Sequence, residues 1–272
     1  MTQPPVVLTI AGSDSGGGSG LQADLRTFAA QSVHGVCALT VVSSQNTNEF
    51  RSAWPVPASV VQSQIEAILD DFDVKVVKTG LLYSRENIEL ISEMADAGLL
   101  PSLIVDPVIV NRHGEPLYDG TTVDLIRRRL IPKALVITPN HLEAFRILGD
   151  EINDDVEALS QAAQRLAAMG PSLVALTGGR RDTPSMVDVV AYEGEVNFLE
   201  VERCLTSNVR GTGDTFSAAI AAGIAKGASP LDAVKKAQVF TSEAVRRAAT
   251  WKLGSGEGPI DHLGQLNAAG LD

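Results

Sequence analysis

Arg210-Gly211-Thr212-Gly213-Asp214-Thr215-Phe216 is the stretch of this chain whose residue types and spacing best suit chemistry. Two glycines flank a threonine, an aspartate follows at once, and an apolar helical run begins. A helix start of this kind leaves backbone N–H groups without intrahelical partners, and with the helix dipole they attract an anion. Asp214 adds a carboxylate at the edge of that anion site. Donors for developing negative charge beside a proton acceptor are what phosphoryl transfer to an alcohol requires. The same residues also read as a glycine-rich turn in which Asp214 caps a helix, as aspartate commonly does. The choice between the two depends on what the other elements bring to this point.

Those elements alternate. Val6–Ala11, Val36–Val42, Val74–Lys78, Leu103–Asp106, Leu135–Thr138 and Leu173–Thr177 are short apolar runs that read as strands. Between them, Leu21, Leu25, Phe28 and Ala29 follow helical spacing, as do Val61, Ile65, Ile68, Leu69 and Phe72, then Ile88, Ile91 and Met94, and then Val156, Leu159, Ala163 and Leu166. Leu125–Leu130 also reads as helical. Strands that are apolar throughout are buried on both faces, which implies a mostly parallel sheet between helix layers. Asp188–Tyr192 and Val196–Val201, split by Glu193-Gly194-Glu195, read as a hairpin. Asp214–Lys226 and Pro230–Ala249 close the chain as helices. No repeat and no linker is visible, so residues 1–272 are expected to form a single domain. In such sheets ligands bind at the carboxyl ends of the strands. There this sequence places Gly12-Ser13-Asp14-Ser15-Gly16-Gly17-Gly18-Ser19-Gly20, Ser43-Ser44-Gln45-Asn46, Lys78-Thr79-Gly80, Asp106-Pro107, Thr138-Pro139-Asn140 and Thr177-Gly178-Gly179.

Composition narrows the function classes. An apolar content of 44% allows a sizeable core. A net charge of −11 argues against nucleic-acid and anionic-membrane partners, both of which recruit basic surfaces. It leaves nucleotides open, since helix N-termini and Mg²⁺ neutralise phosphates locally. The two cysteines, Cys37 and Cys204, lie far apart and the four histidines show no ligand spacing, which argues against structural zinc. Cys37, in an apolar run, is expected to be a buried small hydrophobe. The first residues lack a basic leader and no apolar run approaches membrane-spanning length, so a soluble, cytoplasmic setting is expected.

The first glycine loop is not a Walker phosphate loop, because no Gly-Lys-Ser/Thr follows. Gly18-Ser19-Gly20-Leu21-Gln22-Ala23 fits a dinucleotide fingerprint, but residues 33–48 contain no acid to hold a ribose. A loop whose bare backbone closes over a flat small molecule accounts for the glycines better. Gln45 offers a donor and an acceptor together, suited to the edge of a heteroaromatic ring, and loop solvation is the plain alternative. Asp24 lies one turn after Gly20, where a favourable interaction with the helix N-terminus is the plain alternative. Asp106 and Glu143 follow consecutive strands and could hold hydrated Mg²⁺. Equally, Asn140 could cap a helix with Glu143 at its third position.

Ala11-Gly12-Ser13-Asp14 with Gly16-Gly17, Gly20-Leu21-Gln22-Ala23-Asp24, Gln45-Asn46-Thr47, Lys78-Thr79-Gly80, Asp106-Pro107-Val108, Thr138-Pro139-Asn140 with Glu143, Gly211-Thr212-Gly213 and Gly254-Ser255-Gly256-Glu257-Gly258-Pro259 with His262 together resemble the hydroxymethylpyrimidine/phosphomethylpyrimidine kinases of thiamine synthesis. These form part of the vitamin-kinase branch of the ribokinase superfamily, and the likeness runs from about Val6 to His262. The resemblance implies a ribokinase-like three-layer α/β/α fold with a central, mostly parallel sheet. It implies ATP-dependent phosphorylation of 4-amino-5-hydroxymethyl-2-methylpyrimidine and of its monophosphate. Relatives on the same scaffold phosphorylate pyridoxal or pyridoxine, and that is the alternative. By the same resemblance, Gly12, Ser19, Asp24, Ser43, Gln45 and Leu81 would surround the substrate ring. Asp106 and Glu143 would organise Mg²⁺ and the ATP phosphates, with Asn140, Thr177, Gly179 and Arg210 beside them. Gly211, Thr212 and Gly213 would form the anion hole, Asp214 would be the base, and the enzyme would be a homodimer.

Three positions depart from the family pattern. Asp214 stands where the pyrimidine kinases usually carry Cys, although the wider superfamily uses Asp. Thr177 stands where a Lys often precedes Gly-Gly. Arg210 replaces a His and could restore positive charge near the phosphates. Two other classes were weighed. A regulatory nucleotide binder that has lost turnover would need no Asp214, and an oxidoreductase would need the missing ribose acid.

Overall fold

The structure is a computed structural model and describes residues 3–111, 113–179 and 183–263. Its strands are β1 (Val6–Asp14), β2 (His34–Gln45), β3 (Phe50–Pro55), β4 (Val74–Thr79), β5 (Leu103–Val105), β6 (Val136–Ile137), β7 (Leu173–Gly179), β8 (Ser185–Tyr192) and β9 (Glu195–Glu202). The helices are α1 (Gly20–Ala30), α2 (Ala58–Leu69), α3 (Arg85–Asp96), α4 (Gly120–Leu125), α5 (His141–Leu148), α6 (Val156–Ala167), α7 (Thr212–Ala225) and α8 (Pro230–Ala248).

All these strands join one sheet in the order β3-β2-β1-β4-β5-β6-β7-β8-β9. Pairing is parallel from β2 through β1, β4, β5 and β6 to β7, and antiparallel at both edges. The continuous apolar runs are explained by helices on both faces. Val7, Val76, Ile104, Val136 and Leu173 pack with Phe28 of α1, Phe216 and Ile220 of α7 and Val234 of α8. Their neighbours Leu8, Val77, Val105, Ile137 and Val174 point the other way, onto Ile65 of α2, Ile91 of α3 and Leu159 of α6. Each such fully buried side chain is worth roughly 1.5–3 kcal/mol of transfer free energy, so the sheet is held from both sides. The three-layer α/β/α architecture expected from the sequence is what is found.

The chain reverses direction across the sheet at β1, which has β2 on one side and β4 on the other. Loops leaving the carboxyl ends of β1 and β4 therefore diverge, and a crevice opens between them.

Three local expectations differ from the structure. The edge strand β3 was not visible in the sequence, because Phe50-Arg51-Ser52-Ala53-Trp54-Pro55 is interrupted by Arg51 and Ser52 and ends in proline. Helix α4 begins earlier than expected, at Gly120, and Leu125–Leu130 continues it as a single wide π turn over Ile126–Leu130. Cys37 is half-buried rather than sealed in the core.

Gly20 starts α1 at φ +58°, and a Cβ there would lie 2.3 Å from the Gly12 carbonyl oxygen. Neither the conformation nor the contact tolerates a side chain. Gly20→Ala is expected to lower unfolding free energy by about 2 kcal/mol or more. A urea midpoint equal to that of the parent protein would refute this account of the loop.

Candidate active site

The glycine-rich loop after β1 folds around a carboxylate of its own. Asp14 is only 2% exposed. Its Oδ1 accepts the Gly16 N–H at 2.8 Å, and its Oδ2 accepts the N–H of Gly18 at 3.1 Å and both the N–H and the hydroxyl of Ser19 at 3.0 and 2.9 Å. Arg210 closes the nest, its guanidinium 3.0 Å from the same oxygen. The sequence reading gave Arg210 to the phosphates. The structure instead spends its charge on Asp14, because a buried carboxylate is stable only when paired and hydrogen-bonded. Ser19 was expected at the substrate, and its hydroxyl is likewise turned onto Asp14.

That clasp brings the second glycine motif alongside. Gly211 sits at φ +84°, and a Cβ on it would lie 2.1 Å from the Gly18 carbonyl oxygen, so only glycine allows the two backbones to meet. Helix α7 begins one residue later. The Thr212 N–H donates to the Val209 carbonyl at 3.2 Å, so an anion at this end would meet the following N–H groups of the first turn rather than that of Thr212. Asp214 lies in that first turn with its side chain 19% exposed, facing the cleft. Behind it Thr215 shares a 2.8 Å hydrogen bond with His262 Nδ1, which ties the chain's last described segment to the site. His262 is buried beside the Gly18 backbone.

Beneath Asp214 lies a residue the sequence reading did not single out as functional. Lys78 of β4 is completely buried, and its Nζ donates to both oxygens of Asp24 at 2.9 Å and stands 3.9 Å from Asp214 Oδ1. Asp24 was expected at the substrate ring. It is 0% exposed, holds Lys78, and accepts the Thr9 hydroxyl at 2.6 Å, so its place is under the site. Burial pushes the Asp24 carboxyl up to about 6, and Lys78 opposes that push. The Asp24 carboxylate pushes the Lys78 ammonium up despite its burial, which otherwise favours the neutral amine. The available signal was its place at the carboxyl end of β4 directly after Val76-Val77, whereas Lys75 of the same strand is exposed.

Asp106 follows β5 and accepts the Ser217 hydroxyl of α7 at 3.0 Å, while a Cβ on Gly213 would lie 4.0 Å from the same oxygen. Asp106 and the start of α7 therefore share one corner. Burial pushes Asp106 up to about 7, with Lys78 opposing and Asp214 adding to it. Glu143 forms the capping box expected as the plain alternative. Its Oε2 accepts the Asn140 N–H at 3.0 Å, and Asn140 Oδ1 accepts the Glu143 N–H at 3.0 Å. Its Oε1 takes the Ile109 N–H at 2.9 Å, which holds the turn after Asp106, where Val108 is forced to φ +43°. A β-branched residue there is strained and needs such a clamp. Burial and then Asp106 push the Glu143 carboxyl up to about 8.

These donors fit a hydrated magnesium ion that relies on water and phosphate oxygens. Asp106 would be its protein carboxylate, with Glu143 acting through the turn it holds. Among the described residues, no cluster of three or more histidine, cysteine, aspartate or glutamate side chains forms a protein-only metal cage.

The remaining expected residues divide between the β1–β2 side of the sheet and the ends of β6 and β7. Gly12 lies against Val41 and Leu81, where a Cβ would meet the Val41 side chain at 2.6 Å. Ser43 donates its hydroxyl to the Ser13 carbonyl at 2.6 Å, and the Gln45 backbone N–H is held by Ser15 at 2.9 Å. Gln45 itself is half-exposed at the strand end. Thr177 bonds the Pro139 carbonyl and pairs with Asn140, so the β6 and β7 ends form one rim. Gly179 is buried against Leu159 and the Val187 carbonyl, where a Cβ would lie 2.4 and 2.9 Å away, so packing requires this glycine.

Residues 14–261 match the phosphomethylpyrimidine kinase family. This chain belongs to that family. It is 39% identical over 259 residues to the hydroxymethylpyrimidine/phosphomethylpyrimidine kinase of Streptomyces coelicolor, which covers 95% of this chain and 94% of that protein. Among solved structures it resembles the pyridoxal kinase of Bacillus subtilis in its ADP complex, with a TM-score of 0.90, 35% identity, and coverage of 97% of this chain and 100% of the other. It also resembles the phosphomethylpyrimidine kinase of Clostridium difficile 630, with a TM-score of 0.79, 32% identity, and coverage of 89% and 99%.

Burial pushes the His262 imidazole down to about 4, against an ordinary value of 6.5. The unfolded chain therefore takes up a proton at this position before the folded protein does. The stability His262 lends is complete above pH 6.5 and is lost as pH falls towards 4. In His262→Gln the melting temperature is expected to fall less steeply than in the parent across that window. Parallel melting curves between pH 7.5 and pH 4.5 would refute the assignment.

Proposed function

We propose that this single-domain chain is a cytoplasmic kinase that transfers the γ-phosphoryl group of ATP to the hydroxymethyl group of 4-amino-5-hydroxymethyl-2-methylpyrimidine, and then phosphorylates the monophosphate. The observation that carries the reading is Asp214. It is a carboxylate in the first turn of α7, beside the turn's N–H groups and Asp106, at the crevice where β1 and β4 diverge. In this reading the alcohol oxygen attacks the γ-phosphorus, Asp214 takes the alcohol proton, and ADP leaves. The first-turn N–H groups of α7 stabilise charge on the transferring oxygens. Magnesium held at Asp106 would neutralise phosphate charge. Gly12, Gln45 and Leu81 hold the ring edge, and Ser19 and Ser43 shape the wall through their bonds to Asp14 and Ser13. Catalysis is then positioning, charge stabilisation and one proton acceptor.

A pyridoxal or pyridoxine substrate is the second reading, favoured by the likeness to the Bacillus subtilis pyridoxal kinase. Both substrates are flat heteroaromatic alcohols, and the crevice residues suit that class. Phe50 and Trp54 on the edge strand β3, 60% and 56% exposed, support a homodimer formed along that edge.

Asp214→Asn removes no helix cap, since the N-cap of α7 is Gly211 and no side chain caps it, so the capping role expected as the plain alternative is not found. It is expected to lose roughly two to four orders of magnitude in kcat while melting like the parent. Single-turnover phosphorylation at saturating ATP and alcohol measures this, and near-normal turnover in a folded variant would remove Asp214 as the base. Gln45→Ala is expected to lower kcat/KM by roughly tenfold to a few hundredfold, the scale of one or two lost polar contacts. Assays with the hydroxymethylpyrimidine, its monophosphate, pyridoxal and pyridoxine identify the preferred alcohol. Unchanged kinetics with each of them would remove Gln45 from the ring site.

A further inference from the structure

Lys78 and Thr9 are register partners on β4 and β1, at the point where the chain reverses direction across the sheet. Both side chains reach Asp24 of α1, the hydroxyl at 2.6 Å and the ammonium at 2.9 Å from each carboxylate oxygen. The pair is sealed from water, with both side chains 0% exposed. A buried ion pair of this kind is weak evidence for stability, because well-packed apolar residues often replace one at no cost. Its placement calls for another explanation.

The ammonium is 3.9 Å from Asp214 Oδ1, on the inner side of the cleft. The charged and titratable groups that bear on Asp214 come from four elements: Lys78 from β4, Asp24 from α1, Asp106 after β5, and His262 from the closing segment. Two of the four are carboxylates, which disfavour a further negative charge. His262 is buried, and burial favours its neutral form. Lys78 is the buried cation of the group.

We infer that Lys78 is a positioning residue for phosphoryl transfer, its ammonium clamped by Asp24 so as to fix the Asp214 carboxylate at the cleft floor and hold it negatively charged. Asp24 keeps the lysine charged in a dry interior, and Thr9 orients Asp24. The cation never touches substrate. The inference rests on the base role proposed above for Asp214.

Two variants test it through the pH dependence of kcat. Lys78→Met combined with Asp24→Asn removes the pair without leaving a lone buried charge. The acid limb of its kcat profile is expected to move up by about one to two pH units, the scale of losing an opposite charge at this distance. Lys78→Met alone removes the cation and leaves Asp24, whose burial then favours the neutral acid. Its acid limb is also expected to move up, because Asp214 has lost its opposite charge. KM for ATP is expected to stay within about twofold in both, since neither residue reaches the nucleotide. A purely structural pair would change melting temperature and leave both limbs in place. Unmoved limbs, or limbs displaced downward, overturn the inference. Where the double variant fails to fold, the upward shift in Lys78→Met decides alone. Asp214→Asn is assayed beside them. Its loss of turnover with unmoved limbs in the pair variants defeats this inference only, whereas its normal turnover defeats the base assignment and the inference together.

Discussion

The site's geometry depends on one carboxylate that faces inward, that of Asp14. The loop from Gly16 to Ser19 has no secondary structure to satisfy its N–H groups, and several of them converge on Asp14 instead. The same carboxylate holds the Arg210 guanidinium. One buried anion therefore fixes the loop after β1, the start of α1 and the approach to α7, which are far apart in sequence. Charge-assisted hydrogen bonds are each worth about 1.5–3 kcal/mol, so several together offset the desolvation of the carboxylate. Loss of the Asp14 carboxylate would leave Arg210 and the loop N–H groups without their partner, at a cost of about 3–5 kcal/mol. The close approach of Gly211 to Gly18 is a consequence of that clasp.

Around this anchor the site concentrates negative charge. Asp24, Asp106 and Glu143 are all buried, and burial is the leading cause that raises each of them. They differ in what compensates. Asp24 has a lysine, Glu143 has backbone N–H groups, and Asp106 has the Ser217 hydroxyl with Lys78 at longer range. Asp106 is thus the carboxylate with the least local compensation and the one nearest the start of α7. A divalent cation at that corner would favour its ionised form.

Much of this was legible in the sequence. Continuous apolar runs such as Val6–Ala11 and Leu173–Thr177 announced strands covered on both faces, and Gly211-Thr212-Gly213-Asp214 announced a helix start beside a carboxylate. The capping box at Asn140 and Glu143 was also readable, because its spacing is local. What sequence could not supply was partnership across the fold. Arg210 and Asp14 are 196 positions apart, and Lys78 and Asp24 are 54 apart. Nothing in either segment alone says that a charge expected to face a ligand faces a neighbour. Asp24 looked like a substrate contact because it belongs to a motif, yet the α1 turn that carries it points into the sheet. Strand β3 escaped for a different reason. An exposed edge needs no continuous apolar run, so its pattern does not stand out from a loop.

The departures from the family pattern take on a common sense in this frame. Both basic residues that the site motifs contain are committed to buried carboxylates, Lys78 to Asp24 and Arg210 to Asp14. Thr177 adds no charge where a lysine is often found. Among the described residues of these motifs, the phosphates of a nucleotide would therefore meet N–H groups and a helix dipole rather than a free cation. Such groups orient an anion but neutralise little of its charge. A phosphate chain that arrives with its own divalent ion suits this arrangement, and Asp106 would be the carboxylate to receive that ion under the proposed function. An aspartate at position 214 is consistent with the same economy. A carboxylate there needs a compensating positive charge close by, and the lysine of β4 lies directly beneath it.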